Sequence, residues 1–279
     1  MIRPSSPSLQ PYGRFWDLDD AGYLINDCAR EFLQRPWGEL VETWRRGCLE
    51  ILGSQAISVY LRGSIPRGLA LEGISDLDGL VIVASLEGLE EKQMALRDWG
   101  RTLRSQYPFC SAIETQIIPE ADLWDTQLPW GILLKTQGLL LWGVDHRPHL
   151  PPVTLGRHLI HHAWHLRQDI HNTRQWLRQP QLNHKRAIPK IQHKCAWLCR
   201  RMVRSGFELV MEREHAYTRD LYLNYAVFAR YFPAQEREMR RTLQLAISPS
   251  AQRSGLLIFW REFGHWLTEQ IEQQLAIDN

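Results

Sequence analysis

Residues Leu61 to Val83 read LRGSIPRGLALEGISDLDGLVIV, and the two ends of this stretch carry the chemistry. At the far end Asp76 and Asp78 flank a single leucine and run into the apolar Leu80 to Val83. Side chains at i and i+2 of a strand point to one face, so the two carboxylates share a face. They repel one another and are costly beside apolar neighbours unless a cation or hydrogen bonds neutralise them. A hard divalent ion does this well: Mg²⁺ takes oxygen ligands and completes its shell with waters and substrate phosphates. At the near end Val59-Tyr60-Leu61 closes an apolar strand and Gly63-Ser64 follows. There backbone N–H groups and a hydroxyl can approach phosphate oxygens at a helix start, and Pro66 suits the first turn of that helix. The competing explanation is that Asp76 and Asp78 only cap a surface turn.

A later strand-like segment, Ser111 to Ile118, carries a third carboxylate, Glu114. Gly-Ser, then a short helix and loop, then Asp-x-Asp on a strand resembles the signature of the DNA-polymerase-β-like nucleotidyltransferase superfamily, here Gly63, Ser64, Asp76 and Asp78. Glu114 stands where that superfamily has its later-strand acid. The runs ILLKTQGLLLWGVD, residues 132–145, and CAWLCRRMVRSGFELVMEREHAYTRDLYLNYAVFARYFP, residues 195–233, are similar to the streptomycin/spectinomycin adenylyltransferase family. The resemblance implies transfer of a nucleoside monophosphate from an NTP, ATP foremost, to an acceptor hydroxyl with release of pyrophosphate. It implies Mg²⁺ held by Asp76, Asp78 and Glu114, with Glu114 also the catalytic base. Gly63 and Ser64 would contact the phosphates, and Arg67 and Lys194 are further candidate nucleotide contacts. Arg219 falls where the family has a nucleotide-contacting lysine, and Arg62 replaces the aromatic or small apolar residue usual before Gly-Ser. The acceptor stays open, small molecule or macromolecule. A protein-modifying enzyme of the same chemistry, and a non-catalytic nucleotide- or nucleic-acid-binding protein that kept the fold, are the alternatives.

Periodicity predicts an α+β protein: a small mixed-sheet nucleotidyltransferase core followed by an all-helical bundle. A helix over Trp37 to Leu52 ends at Gly53, strands follow at Ile57 to Leu61, Leu77 to Ala84 and Ala112 to Ile118, and a helix from about Leu89 to Gln106 crosses between the last two. Trp130 to Lys135 reads as a helix and Leu139 to Gly143 as a short strand. Helical patterns then cover roughly Leu155–Arg178, Pro189–Glu214, Thr218–Tyr231, Ala234–Ala246 and Gly255–Leu275. The expected domains are 1–147, with an N-terminal extension of about residues 1–35, and 148–279. The first 13 residues, rich in Pro and Ser, read as loose.

The 279 residues carry a net charge of only +2, yet from Arg157 to Arg241 basic residues outnumber acidic ones by ten. Lys190, Lys194, Arg201 and Arg204 make a basic stripe on one helix, either a solvated face or an anion-binding surface that leaves a nucleic-acid partner open. Such a surface disfavours a cationic acceptor, although Glu208, Glu212, Glu214 and Asp220 are local acids able to line a cationic site. His158, His161, His162 and His165 fall at helical spacing and read as polar-face or inter-domain histidines more readily than as metal ligands. Cys195 and Cys199 read as buried structural thiols. No apolar run approaches membrane-span length and the first residues lack a signal-peptide core, so a cytoplasmic protein without a membrane partner is expected.

Overall fold

The computed structural model describes residues 9–276 and divides the chain into two compact units, Asp17–Thr154 and the helical remainder from Leu155 onward together with the segment before Asp17. The part of the loose N-terminus expected at residues 1–8 lies outside the described residues.

The first unit is built on strands β1 (Ala56–Arg62), β2 (Leu77–Val83), β3 (Ile113–Pro119) and β4 (Leu139–Gly143) in the order β3-β2-β1-β4. β1 pairs antiparallel with β2 and β4, while β2 and β3 are parallel, so the sheet is mixed. A parallel pair needs a crossover, and helix α2 (Glu90–Gln106) supplies it. Helix α1 (Trp37–Leu52) buries Leu40, Trp44, Cys48 and Leu52, spaced by four residues, and stops at Gly53, whose φ is +58°.

Alternation along the strands separates two cores. Val59, Leu61, Leu77, Val81 and Val83 face α1 and α2, together with Leu96 and Leu103 of α2. Tyr60, Leu80, Ile82 and Ile118 face the other way, against Leu123, Leu150 and Leu134 of helix α3 (Trp130–Gln137). Trp44 ties the first face together: its indole N–H donates to the Thr115 hydroxyl on β3 at 2.9 Å. Its ring fills the space beside Gly79, where a Cβ would come within 1.9 Å of it.

The helix expected after Gly63-Ser64 does not form; residues 63–68 are a series of turns. Gly63 and Gly68 take φ of +86° and +70°, and the Phe32 ring lies 2.8 Å from where a Gly68 Cβ would be, so the segment folds back on itself instead of winding.

In the second unit helix α5 (Ile188–Glu208) packs against α4 (Leu166–Leu177), α7 (Leu221–Tyr231), α8 (Glu236–Ile247) and α9 (Arg253–Ala276). The long helix expected to Glu214 breaks after Glu208, and a single turn, α6 (Met211–Glu214), follows, closed by His215 in the left-handed region. Cys195 and Cys199 are buried within α5. The expected N-terminal extension is divided: Trp16 N–H donates to the Tyr217 carbonyl at 2.9 Å and Arg14 N–H to the Asp220 carboxylate at 3.0 Å, which ties this segment to the helical unit. Among the described residues no helix is long and apolar enough to cross a membrane.

The Trp44–Gly79 contact generates a test of the fold apart from any activity. Gly79→Ala forces the indole aside at a cost of about 1–3 kcal/mol, a fall in Tm of roughly 5 °C by thermal melt. A melt unchanged by this substitution would refute the packing described.

Candidate active site

Register brings the acidic residues together. Asp78 pairs with Arg62 across β1 and with Glu114 across β3, so Arg62, Asp78 and Glu114 form one row over three neighbouring strands. All three stand on the face of Tyr60, Leu80 and Ile82, at the level where that apolar core runs out. Asp76 sits immediately before β2, half-buried, and Glu114 is exposed. Burial, then the neighbouring Asp78 and more weakly Glu114, raise the Asp76 carboxyl above its usual range, opposed in part by Arg62. The Arg62 guanidinium donates to Asp78 Oδ1 at 3.1 Å, each side chain being only 16% exposed. Its Nε is buried with no partner.

Gly63 lies hard against this row. A Cβ there would sit 2.7 Å from Asp78 Oδ2, and the backbone φ is +86°, so the turn reaches the carboxylate only because the residue is glycine. Ser64 is half-buried, and its carbonyl accepts the Leu69 N–H at 2.9 Å.

Arg67 is turned elsewhere: it is 3% exposed and its Nε donates to both oxygens of Asp27, at 3.0 and 2.9 Å. Lys194 and Arg219 belong to the helical unit. The Lys194 ammonium lies 3.7 Å over the Trp197 ring, and burial lowers its pKa. Arg201 of the basic stripe pairs with Asp169.

Arg219 lines a small cleft with His161, His162, Arg204, Glu208 and Asn224. Glu208 is its keystone, because one buried carboxylate accepts the N–H groups of His161, His162 and Ala163 at 2.7 to 3.2 Å. These N–H groups are capped by a neighbouring helix, so two short 3-10 turns, Arg157–Leu159 and Ala163–His165, joined by irregular backbone, replace the helix expected to carry the four histidines, and their helical spacing lapses. Asn224 is 1% exposed with both amide atoms unpartnered. The acids expected to be available for a cationic ligand are largely engaged: Glu208 as above, Glu214 with Arg230 and Tyr231, and Asp220 with the Arg14 backbone.

From sequence alone Arg62 is only a departure from a pattern, and Asn224 does not stand out. A positive residue at the end of a strand whose antiparallel neighbour opens with Asp-x-Asp was the available signal for Arg62. Asn224 carried none, because its burial depends on helix packing.

The donor set suits Mg²⁺ in a particular way. Among the described residues no three His, Cys, Asp or Glu side chains converge closely enough to hold an ion unaided. Mg²⁺ needs only one or two carboxylates when triphosphate oxygens and waters supply the rest. Asp76 and Asp78, with Glu114 close enough to be felt electrostatically, fit an ion that arrives with a nucleotide rather than one held in a protein cage.

In fold the chain resembles a solved aminoglycoside-modifying adenyltransferase. The spectinomycin adenyltransferase AAD(9) from Enterococcus faecialis, solved with ATP and spectinomycin, superposes with a TM-score of 0.51 over 84% of this chain and 99% of its own, at 14% identity. No family model matches the chain, and no curated protein matches it.

The helical cleft has a pH signature. Burial, then Arg219, lowers His161 from 6.5 to about 4, so its contribution to stability is full above 6.5 and is lost as pH falls towards 4. Burial raises Glu208 from 4.5 to about 7, so its contribution is present below 4.5 and is lost as pH rises through 7. The two oppose each other, and His162, lowered by burial, adds to the histidine side. His161→Gln should flatten the acid limb of Tm against pH while leaving the neutral limb in place; an unchanged acid limb would count against a buried neutral imidazole.

Proposed function

We propose that the protein is a nucleotidyltransferase that moves a nucleoside monophosphate, AMP from ATP foremost, to an acceptor hydroxyl and releases pyrophosphate. The observation that carries this reading is the gathering of Asp76, Asp78 and Glu114 at one end of a sheet face, with the Gly63-Ser64 turn against them. The ATP in the crystal of the similar spectinomycin enzyme supports the choice of donor.

Asp76 and Asp78 would hold Mg²⁺ through their carboxylates. When bound, that ion would screen the triphosphate and acidify the acceptor hydroxyl. Glu114, exposed and in register with Asp78, is suited to complete the metal shell or to take the acceptor proton on its own carboxylate. The Gly63 backbone and the Ser64 hydroxyl would orient phosphate oxygens, and Lys194 and Arg219 are proposed as nucleotide contacts. Arg67 has the weakest case for such a role, since its guanidinium already serves Asp27.

The decisive measurement follows label from each α-labelled NTP with Mg²⁺, with and without cell extract. Asp76→Asn and Asp78→Asn should each lower transfer by about two orders of magnitude or more, since each deletes a ligand; Asp76→Asn also relieves repulsion, whereas Asp78→Asn leaves Arg62 without its carboxylate and should lower Tm as well. Near wild-type turnover in either variant would remove the metal assignment. Glu114→Gln should lower kcat by about 10²-fold with little change in nucleotide affinity, as expected of a proton acceptor.

The acceptor is proposed to be neutral or anionic. The helical unit is rich in Arg and Lys, and three of its four candidate acids are held by internal partners. Streptomycin and spectinomycin, being cationic, should be poor acceptors; efficient modification of either, with raised resistance in expressing cells, would overturn this.

A further inference from the structure

Arg62 occupies an unusual position for a cation in a site read as binding metal. It is the cross-strand partner of Asp78 and the last residue of β1, directly ahead of the Gly63-Ser64 turn. Its guanidinium hydrogen-bonds Asp78 Oδ1 at 3.1 Å, and both side chains are shielded enough that the pair is not a solvent-screened surface contact. A carboxylate so engaged is a poorer ligand for a free cation, because a metal approaching Asp78 meets a fixed positive charge. The same guanidinium has a planar fork of five N–H donors, and its Nε is buried without a partner. The side chain keeps 16% exposure, and the donors of the fork beyond the one given to Asp78 suit a phosphate oxygen.

We propose that Arg62 is a positioning residue that couples metal to nucleotide: it holds Asp78 until nucleotide binds, discriminates against free divalent ions, and releases Asp78 when a triphosphate takes its donors. Metal and nucleotide then enter together. This rests on the assignment of Asp76 and Asp78 as metal ligands. The ion is then admitted with phosphate oxygens that help to fill its shell. By linkage, whatever Arg62 subtracts from free-metal binding is recovered as cooperativity between metal and nucleotide.

Binding of Mn²⁺ to the full chain, followed by electron paramagnetic resonance without nucleotide, and binding of the Mn²⁺ complex of α,β-methylene-ATP, followed calorimetrically, test this. In Arg62→Gln, free Mn²⁺ should bind about tenfold tighter and the nucleotide complex about tenfold weaker, a loss of coupling within the usual range for linked sites. Arg62→Met should behave alike if glutamine disturbs the strand end, whereas Arg62→Lys should keep free Mn²⁺ weak. A residue that merely braced β1 against β2 would lower Tm without moving the two affinities in opposite directions. Affinities that both stay unchanged, or shift the same way, overturn the proposal. Mn²⁺ binding that is insensitive to Asp76→Asn and Asp78→Asn instead removes the underlying metal assignment, so the two failures are distinct.

Discussion

Three carboxylates and one guanidinium stand at the end of a sheet face, and their mutual electrostatics govern what surrounds them. Asp76 is burdened by burial and by Asp78, while Asp78 is partly relieved by Arg62 on the adjoining strand. Such a group is tolerable only where the backbone holds each charge at a set distance. The parallel pairing of β2 with β3 and the antiparallel pairing of β1 with β2 do that holding. Gly63 completes the arrangement, since any side chain there would collide with Asp78.

The face behind the charges explains why the row stays in register. Trp44 lies over Gly79 and bonds Thr115, joining β2 to β3 one residue beyond the Asp78–Glu114 pair. A one-residue slip would turn Asp78 into the core and Gly79 out of it, stranding a carboxylate among α1 and α2. The apolar cores on both faces thus enforce the position of the polar row.

The helical unit places its own polar groups by a different device. Glu208, enclosed almost completely, serves as the cap for three N–H groups of a segment far from it in sequence. Its burial makes the neutral form favourable and its hydrogen bonds oppose that, leaving a carboxyl that titrates near neutrality among histidines held uncharged. Two arginines of this part of the chain, Arg201 and Arg230, have acidic partners.

Much of the first unit was legible from local pattern. Trp37–Leu52 and α2 showed helical periodicity, the strands showed apolar runs, and Asp76, Asp78 and Glu114 stood out as acids inside strand-like segments, because these signals depend only on neighbours a few residues apart. What escaped was set by partners distant in sequence. The turn at Gly63–Gly68 read as a helix start because proline and serine favour one locally, yet Phe32 and Asp78 decide its path. The four histidines read as helical because their spacing is, yet Glu208 takes the backbone N–H groups a helix would have needed. Arg62 looked like a local substitution and became a member of the acidic row once β1 paired with β2. Periodicity and residue chemistry are written along the chain and determine which segments become strands and which side chains carry charge. Strand register and burial arise only when distant segments meet, so the pairing of those charges belongs to the tertiary structure.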